Sequence, residues 1–212
     1  QLLSWMGGYA LETNFVRAFD LAVLGESHLW KGNGLPFDPE GLLSTLPSIM
    51  TIILGFFAGV MIHTASDQND NVKKMLIMGV GLTFVGWLWN FIMPINKQLW
   101  TSSYVLVTAG IAFLILAILI WIIDIKGNKK PFKTFEIFGT NSLFVFAASG
   151  FWVNIMLWIK IDGQSLYSFL YSQWFFPIAG YINGSLLFAL AHVAVWWLIL
   201  YIMYRKNIFI KI

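Results

Sequence analysis

Two short stretches of the chain are dense in side chains that can bind a polar ligand. Asp38 and Glu40 stand just before one long apolar run, and Asn96, Lys97 and Trp100 stand just after another. Carboxylates can hold a cationic group, and amide, ammonium and indole groups donate hydrogen bonds. A simpler interpretation is that the acids mark a solvated helix start, which the helix dipole favours, and that Lys97 and Trp100 anchor a membrane interface.

The three histidines differ in their surroundings. His28 is close in sequence to Asp38 and Glu40 and is the best candidate for substrate contact, with packing on Trp30 as the alternative. His63 ends an apolar run, where an interfacial residue without a role is the simpler interpretation. His192 lies inside the last apolar run, where an ionisable group suggests a functional site. A neutral imidazole bonded to a helix carbonyl would also explain it.

Further polar groups lie within or beside the apolar runs. Asn90, Asn141 and Ser142 would each cost about 1 to 3 kcal/mol in hydrocarbon without a partner, so we expect them to face the interior of a helix bundle. Ser142 and Ser149 are seven residues apart and share a helical face, which fits either a polar seam or a ligand channel. Gly55 and Gly59 have the spacing that lets two membrane helices pack closely.

The composition places most of the chain in lipid. Hydrophobic residues make up 58% of the 212 residues and charged residues 11%, whereas charged residues are roughly a quarter of an average soluble protein. Backbone groups in hydrocarbon must be paired within the segment, so continuous apolar runs of about 20 residues predict helices. The predicted fold class is an all-α membrane protein, a polytopic transmembrane helix bundle with about five spans plus short interfacial helices. The predicted spans are 45–63, 75–93, 104–123, 137–159 and 185–204.

The segments outside these spans are short. Residues 1–44 are predicted to form an external segment with a short amphipathic helix at 13–24, and residues 45–212 form the bundle. Residues 165–181 are apolar and aromatic but contain Gln173 and Pro177. They predict an interfacial or re-entrant helix rather than a sixth span.

Charge and cysteine content exclude some functions. Nine basic residues lie in the loops and tail of one predicted face and four on the other, so the first face is predicted to be cytoplasmic. The nine are Lys73, Lys74, Lys126, Lys129, Lys130, Lys133, Arg205, Lys206 and Lys211; the four are Arg17, Lys31, Lys97 and Lys160. The net charge of +3 therefore reflects topology and does not indicate nucleic-acid binding. Without cysteine, the chain has no disulfide, no thiolate metal site and no cysteine nucleophile.

Five stretches of the chain carry a combined signal that is more specific than any one of them. They are Glu26-Ser27-His28-Leu29-Trp30, 38–45 (Asp-Pro-Glu-Gly-Leu-Leu-Ser-Thr), 94–104 (Pro-Ile-Asn-Lys-Gln-Leu-Trp-Thr-Ser-Ser-Tyr), Gly139-Thr140-Asn141-Ser142 and the tail 204–212. In the same order, they resemble the C-terminal half of the heparan-α-glucosaminide N-acetyltransferase family and its bacterial relatives. The resemblance extends over nearly the whole chain.

The resemblance implies a membrane acyltransferase that moves an acetyl group from acetyl-CoA to the amine of a terminal glucosamine. Family members are about twice as long, and their catalytic His belongs to an N-terminal half. No histidine here has that setting, so no catalytic residue is expected in this chain. Relatives also tend to have Arg at the position of Leu21, after the residue matching Asp20; Arg17, one turn earlier, is a possible substitute.

The resemblance also implies sites and partners. The expected substrate-binding residues are His28, Asp38, Glu40, Asn96, Lys97 and Trp100, and the expected acetyl-CoA-binding residues are Asn141, Ser142 and Lys130. No metal is expected. The expected partners are membrane lipid, an amino sugar or glycan, the missing N-terminal transmembrane half and, optionally, a second copy. The expected location is the bacterial inner membrane, with residues 1–44 periplasmic and the C-terminus cytoplasmic. A sugar transporter, or a sugar-binding or structural subunit without catalysis, is the alternative.

Overall fold

The computed structural model describes residues 8–32 and 34–210. It divides into two compact units, Gln1–Asn128 and Lys129–Ile212, which are described separately. Among the described residues, four helices are long and apolar enough to cross a membrane, or five if a bent pair counts as one span. Apart from two short strands, the regular elements are helices, so the predicted all-α fold class is confirmed.

The first unit begins with the short helix α1, Phe15–Leu24. Asn14 caps its start by accepting a hydrogen bond from the Arg17 backbone N–H at 2.8 Å, and Gly25 ends it at φ 77°. These are the local signals that predicted a helix at 13–24. A single 3₁₀ turn, Glu26–His28, follows.

Three long helices complete the first unit: α2, Leu42–His63; α3, Gln68–Trp89; and α4, Ser102–Ile120. Asp67 caps α3 and Thr101 caps α4, while the cap residue of α2 is Gly41, which has no side chain. A π-helical turn, Trp121–Ile125, extends α4. The span predicted at 75–93 falls mostly within α3: polar residues 68–74 form the first two turns of that helix and 90–93 belong to the loop that follows, so the span bounds stay a prediction.

Helices α3 and α4 make the closest contact in this unit. A Cβ on Gly110 would lie 2.6 Å from the Thr83 backbone nitrogen, and one on Gly79 would lie 3.0 Å from the Gly110 oxygen. The expected close packing at Gly55 and Gly59 is not present, since nothing lies within 4 Å of a Cβ at either position among the described residues. Much of α2 is exposed, as a lipid-facing helix would be: Phe56 is 68% exposed.

The second unit starts with a bent helix pair. A 3₁₀ turn, Lys130–Phe132, leads into α5, Lys133–Thr140, and α6 is Ser142–Trp158. The two arms are bent by 68° at Asn141, so the span predicted at 137–159 is not one straight helix. Strands β1, Lys160–Ile161, and β2, Gln164–Ser165, then form a hairpin. Asp162 and Gly163 both have positive φ in its turn, as a two-residue type I′ connection requires.

The chain then folds back on itself at Gly180. Helix α7, Leu166–Leu170, continues through a π-helical turn, Tyr171–Phe175, into α8, Phe176–Arg205. Gly180 breaks α8 with φ 71° and ψ −167°. The rings of Phe175 and Phe188 are 5.0 Å apart, and those of Tyr167 and His192 are 6.3 Å apart.

These ring pairs show that the arm 166–179 runs antiparallel to the rest of α8. Because the chain reverses at Gly180, the arm is not a straight extension of the last helix. Its fourteen helical residues rise only about 21 Å, less than the hydrocarbon core of about 30 Å. The placement of the arm in a membrane stays a prediction. Helix α8 breaks at Gly180, so the span predicted at 185–204 lies in its part after the break, and the bounds of that span stay a prediction.

Candidate functional site

The loop between α3 and α4 is held by its own polar side chains. The Asn96 side-chain oxygen accepts backbone N–H groups from Gln98 at 2.8 Å and Leu99 at 3.2 Å. The Thr101 hydroxyl donates to the Pro94 oxygen at 2.9 Å and accepts the Asn96 N–H at 3.0 Å. Asn96 thus shapes the loop, while the Lys97 side chain is exposed with no polar partner among the described residues.

Trp100 connects this loop with α2. Its backbone lies in the left-handed region at φ 50°, which is uncommon for a bulky residue. The indole Nε1 donates to the Thr51 hydroxyl at 3.2 Å, and the ring packs edge-on against Tyr104 at 5.5 Å. The ring is half-buried, so the expected stacking of Trp100 on a ligand stays a prediction.

Asp38 and Glu40 form the turn that leads into α2. Asp38 Oδ1 accepts the Glu40 backbone N–H at 2.9 Å, which is an Asx turn. Asp38 is half-buried and Glu40 is exposed. His28 is also exposed, and its Nδ1 donates to the Leu24 oxygen at 2.8 Å.

A buried carboxylate at the same helix start was not among the predicted site residues. Asp20 is 1% exposed, and neither oxygen has a hydrogen-bond partner among the described residues. Oδ2 faces Gly41 so closely that a Cβ there would lie 1.9 Å away. Burial raises the pKa of the Asp20 carboxyl, the backbone N–H groups of Leu43 and Leu42 act against this, and the charge of Asp38 adds to it.

Two features of the sequence could have indicated that Asp20 is buried against the start of α2. The cap residue of α2 is Gly41, which has no side chain to cap the helix, and Asp20 is one helical turn from Val16 on a largely apolar helix.

Arg17, considered from the sequence as a substitute for the Arg that relatives have at position 21, is engaged elsewhere. Its Nε donates to the Pro36 oxygen at 2.9 Å and its Nη1 to the Glu12 oxygen at 3.1 Å.

A pocket of about 330 Å³ opens at this end of the first unit, between α1, the start of α2 and the α3–α4 loop. None of the six predicted substrate-binding residues is in its wall. The Tyr9 hydroxyl at its edge donates to the Ile92 oxygen at 3.2 Å. The wall consists of Gly8, Tyr9, Asn14, Phe15, Val16, Leu43, Leu46, Pro47, Met93, Leu99, Thr101 and Ser102.

In the second unit, Asn141 holds the C-terminal tail. It is 1% exposed; its Nδ2 donates to the Ile208 oxygen at 3.0 Å, and its Oδ1 accepts the Ile210 N–H at 2.8 Å. The tail leaves α8 through Asn207, at φ 53°. The Ile208 N–H reaches the Met203 oxygen at 2.9 Å, which closes a Schellman motif. Both functional atoms of the Asn141 amide are therefore engaged by backbone.

The predicted acetyl-CoA contacts have different surroundings from Asn141. Ser142 and Lys130 are exposed with no side-chain partner among the described residues. The neighbouring Lys133 ammonium contacts the Tyr204 hydroxyl and lies 3.0 Å from Glu136 Oε1. The Tyr204 hydroxyl in turn donates to Glu136 at 2.9 Å.

His192 lines a second, more open pocket of about 400 Å³ within the second unit. Its Nδ1 donates to the Phe188 oxygen at 2.9 Å, which is the helix-carbonyl bond considered from sequence. Ser149 and Tyr167 also line this pocket, and the Ser149 hydroxyl donates to the Phe146 oxygen. No group of three or more His, Cys, Asp or Glu that could hold a metal occurs in the described part of the chain.

No protein-family model matches the chain. A curated human protein named heparan-alpha-glucosaminide N-acetyltransferase is 30% identical over 211 residues. This chain is similar to that enzyme over 91% of its own length. The mouse protein of the same name is 29% identical over 209 residues, again 91% of the chain.

These matches confirm the resemblance predicted from the five stretches. The chain spans only 29% of the length of either relative. Most of each relative therefore lies outside the matched segment, and the activity of the whole protein is a matter for proposal.

Proposed function

We propose that this chain is the C-terminal part of an integral membrane acyltransferase that moves an acetyl group from acetyl-CoA to an amino sugar. The observation that carries this proposal is the similarity, along 91% of the chain, to two proteins named as N-acetyltransferases of a glucosaminide. The proposal places the protein in a bacterial inner membrane, with residues 1–44 periplasmic and the tail cytoplasmic. It includes an N-terminal transmembrane half and allows a homo-oligomer.

The reaction forms an amide bond between the sugar nitrogen and the acetyl carbon. The thioester C–S bond breaks, the thiolate of CoA leaves, and the amine loses a proton. A general base with a pKa near the working pH would accept that proton. We assign this base to the segment upstream of residue 1, as the resemblance implies.

The acceptor sugar is proposed to bind at the end of the first unit where α2 and α4 begin. His28, Asp38, Glu40 and Lys97 offer charge and hydrogen bonds there, and Trp100 offers an aromatic ring. Asn96 would contribute by shaping the loop that presents Lys97, because its side-chain oxygen is engaged by backbone N–H groups.

The acetyl donor is proposed to bind near the basic start of the second unit. The exposed Lys130 would attract the phosphates of CoA, and Ser142 would offer a hydroxyl. Asn141 would act by holding the tail beside this segment, since its amide already bonds Ile208 and Ile210. Acetyl-CoA, as a co-substrate, would supply the activated acetyl group.

A sugar transporter or sugar-binding subunit without catalysis is the second candidate. It fits this chain as well, because no histidine here has the setting that the resemblance associates with catalysis; the enzyme proposal differs by assigning that residue to an upstream segment. Both candidates require a sugar site, but only the first consumes acetyl-CoA.

The deciding experiment uses the complete protein reconstituted in lipid vesicles with acetyl-labelled acetyl-CoA and glucosamine. We expect labelled N-acetylglucosamine, and we expect Asp38→Asn to raise the KM for glucosamine by about tenfold, or about 1.4 kcal/mol. Glu12→Gln, at an exposed acid just before α1, is the matched control and should leave the KM unchanged. Uptake of unmodified sugar into the vesicles without acetyl transfer would contradict the acyltransferase proposal and support the transporter proposal.

A further inference from the structure

We propose that Asp20 is the carboxylate that recognises the amine of the acceptor, by pairing with it as an ammonium at the start of α2. This inference rests on the proposed function and deepens it, because it assigns amine recognition to a residue other than the exposed acids Asp38 and Glu40. Three observations on the first unit lead to it.

The first observation is that Asp20 is a buried acid without a counter-charge. It is 1% exposed, no cationic side chain pairs with it among the described residues, and neither oxygen meets hydrogen-bond geometry, although the backbone N–H groups of Leu43 and Leu42 lie near enough to favour its charged form. Burying a carboxylate with no partner costs several kcal/mol, so such groups are normally paired or protonated. The arrangement is complementary to a cation.

The second observation is that the neighbouring cations are engaged elsewhere. The described residues before α2 contain two, Arg17 and Lys31. The Arg17 guanidinium bonds the Pro36 and Glu12 oxygens, and the Lys31 ammonium lies 3.2 Å from Glu26 Oε1. Asp38 lies close enough to act on Asp20 through its own negative charge. An ammonium beside Asp20 would therefore offset both the cost of burying its charge and the repulsion from Asp38.

The third observation concerns position. Asp20 is one helical turn from Val16 and faces the Leu43 backbone N–H, and Val16 and Leu43 both line the 330 Å³ pocket. Asp20 itself is not in the pocket wall and lies behind one end of it. This inference therefore moves the sugar ring into the pocket, with its amine reaching Asp20, and leaves the six residues given above for the acceptor at its approach rather than in its wall.

Access to Asp20 requires the segment 34–41 to move. The part of this segment that faces Oδ2 is Gly41, whose missing side chain leaves only backbone as cover. Binding of the amine therefore includes a displacement of the Asp38–Gly41 turn away from α1.

The test measures binding of glucosamine, glucose and N-acetylglucosamine to the complete protein in nanodiscs by calorimetry. We expect glucosamine to bind, the two sugars without an ammonium to bind at least tenfold more weakly, and Asp20→Asn to lose at least tenfold in glucosamine affinity. Glu12→Gln should bind as the wild type. Equal affinity of Asp20→Asn and wild type for glucosamine would overturn the assignment, and a lower melting temperature without loss of affinity would make Asp20 a structural cap only.

A second measurement does not depend on the folding of a variant. A carbodiimide joins a carboxylate to a nearby amine with loss of water, so wild-type protein treated with glucosamine should carry the sugar on Asp20. Mass spectrometry of the peptide that contains Asp20 reads this out, with Glu12 and Glu40 as exposed competitors. Coupling to those two acids with Asp20 unmodified would contradict the proposal.

The outcomes separate this inference from the proposed function. Glucosamine binding at Asp20 without acetyl transfer would support the assignment of Asp20 and contradict the acyltransferase proposal. Acetyl transfer with an unchanged KM in Asp20→Asn, and no coupling to Asp20, would support the acyltransferase proposal and contradict the assignment.

Discussion

At the scale of single residues, Asp20 and Asn141 are both 1% exposed but differ in how their polar atoms are satisfied. Asn141 bonds two backbone groups of the tail, whereas Asp20 has no hydrogen-bond partner among the described residues. A satisfied buried amide contributes to stability, and an unsatisfied buried carboxylate costs stability. Replacing either residue should therefore have a measurable effect on stability.

The Asp20 carboxyl should make stability depend on pH. Burial raises its pKa in the folded protein above the ordinary value, so the fold favours the protonated form. The stability present at low pH is then lost as the pH rises from about 4, the unfolded value, through the folded value. We expect Asp20→Asn to gain melting temperature relative to wild type over that range, measured in detergent between pH 4 and 7.

The matched control for this pH series is Glu12→Gln, whose side chain is exposed. Its melting curve should follow the wild type at every pH. Parallel curves for Asp20→Asn and wild type would show that burial does not control the titration of Asp20.

Replacing Asn141 should release the tail. Asn141→Ala removes two hydrogen bonds worth about 1 kcal/mol each, so we expect a loss of about 2 kcal/mol in the free energy of unfolding. We also expect faster hydrogen exchange at Ile210, whose backbone N–H donates to Asn141 Oδ1. Asn154→Ala, which removes only a bond to Gly150 within its own helix, is the control; if both variants behave alike, the tail contact does not stabilise the fold.

Side-chain roles that depend on neighbours in the chain were easier to predict from the sequence than roles that depend on contacts between distant parts of the chain. Asn14 and Gly25 were expected at the ends of α1 because capping depends on neighbours in the chain. The interior position of Asn141 was expected, but its bonds to residues 67 and 69 positions away were not. Asp20 was missed as a site residue because its burial depends on contact with Gly41, which periodicity does not reveal.

At the scale of elements, glycine decides how closely α3 and α4 pack. Gly110→Ala would place a Cβ 2.6 Å from the Thr83 backbone nitrogen and 2.7 Å from the Gly79 oxygen. Backbone cannot yield as a side chain does, so we expect a loss of about 1 to 3 kcal/mol. Gly81→Ala, in α3 with nothing within 4 Å of the new Cβ, should be neutral or stabilising by up to about 1 kcal/mol. Reversible unfolding in detergent measures both, and an equal effect of the two variants would contradict close packing at Gly110.

Helix existence was easier to predict than helix shape. Continuous apolar runs identified the long helices because lipid imposes that composition. The bend at Asn141 was not predicted, because a single amide in an apolar run does not show that the helix breaks there. An interfacial or re-entrant helix was predicted at 165–181, but not the reversal at Gly180. The dipeptide Asp162-Gly163 is a hairpin signal that depends only on neighbouring residues, and it forms the turn between β1 and β2.

At the scale of the whole molecule, the charge distribution predicts which loops are cytoplasmic. The chain has no cysteine, so a cysteine introduced into it is the only one in this part of the protein, and the unsubstituted protein serves as the background control. In intact cells, an impermeant maleimide should label Gln98→Cys, and it should label Ser66→Cys and Lys206→Cys only after permeabilisation. All three positions are exposed. Labelling of Lys206→Cys from outside would contradict the predicted number of crossings in the second unit.

The clamp of Asn141 on Ile208 and Ile210 has a practical consequence for making this protein. An affinity tag or fluorescent protein inserted directly after Ile210 would crowd backbone that two hydrogen bonds hold in place. A flexible glycine–serine spacer of about ten residues spans about 17 Å on average and would decouple the two. Yields compared with and without that spacer would report on the clamp during ordinary purification.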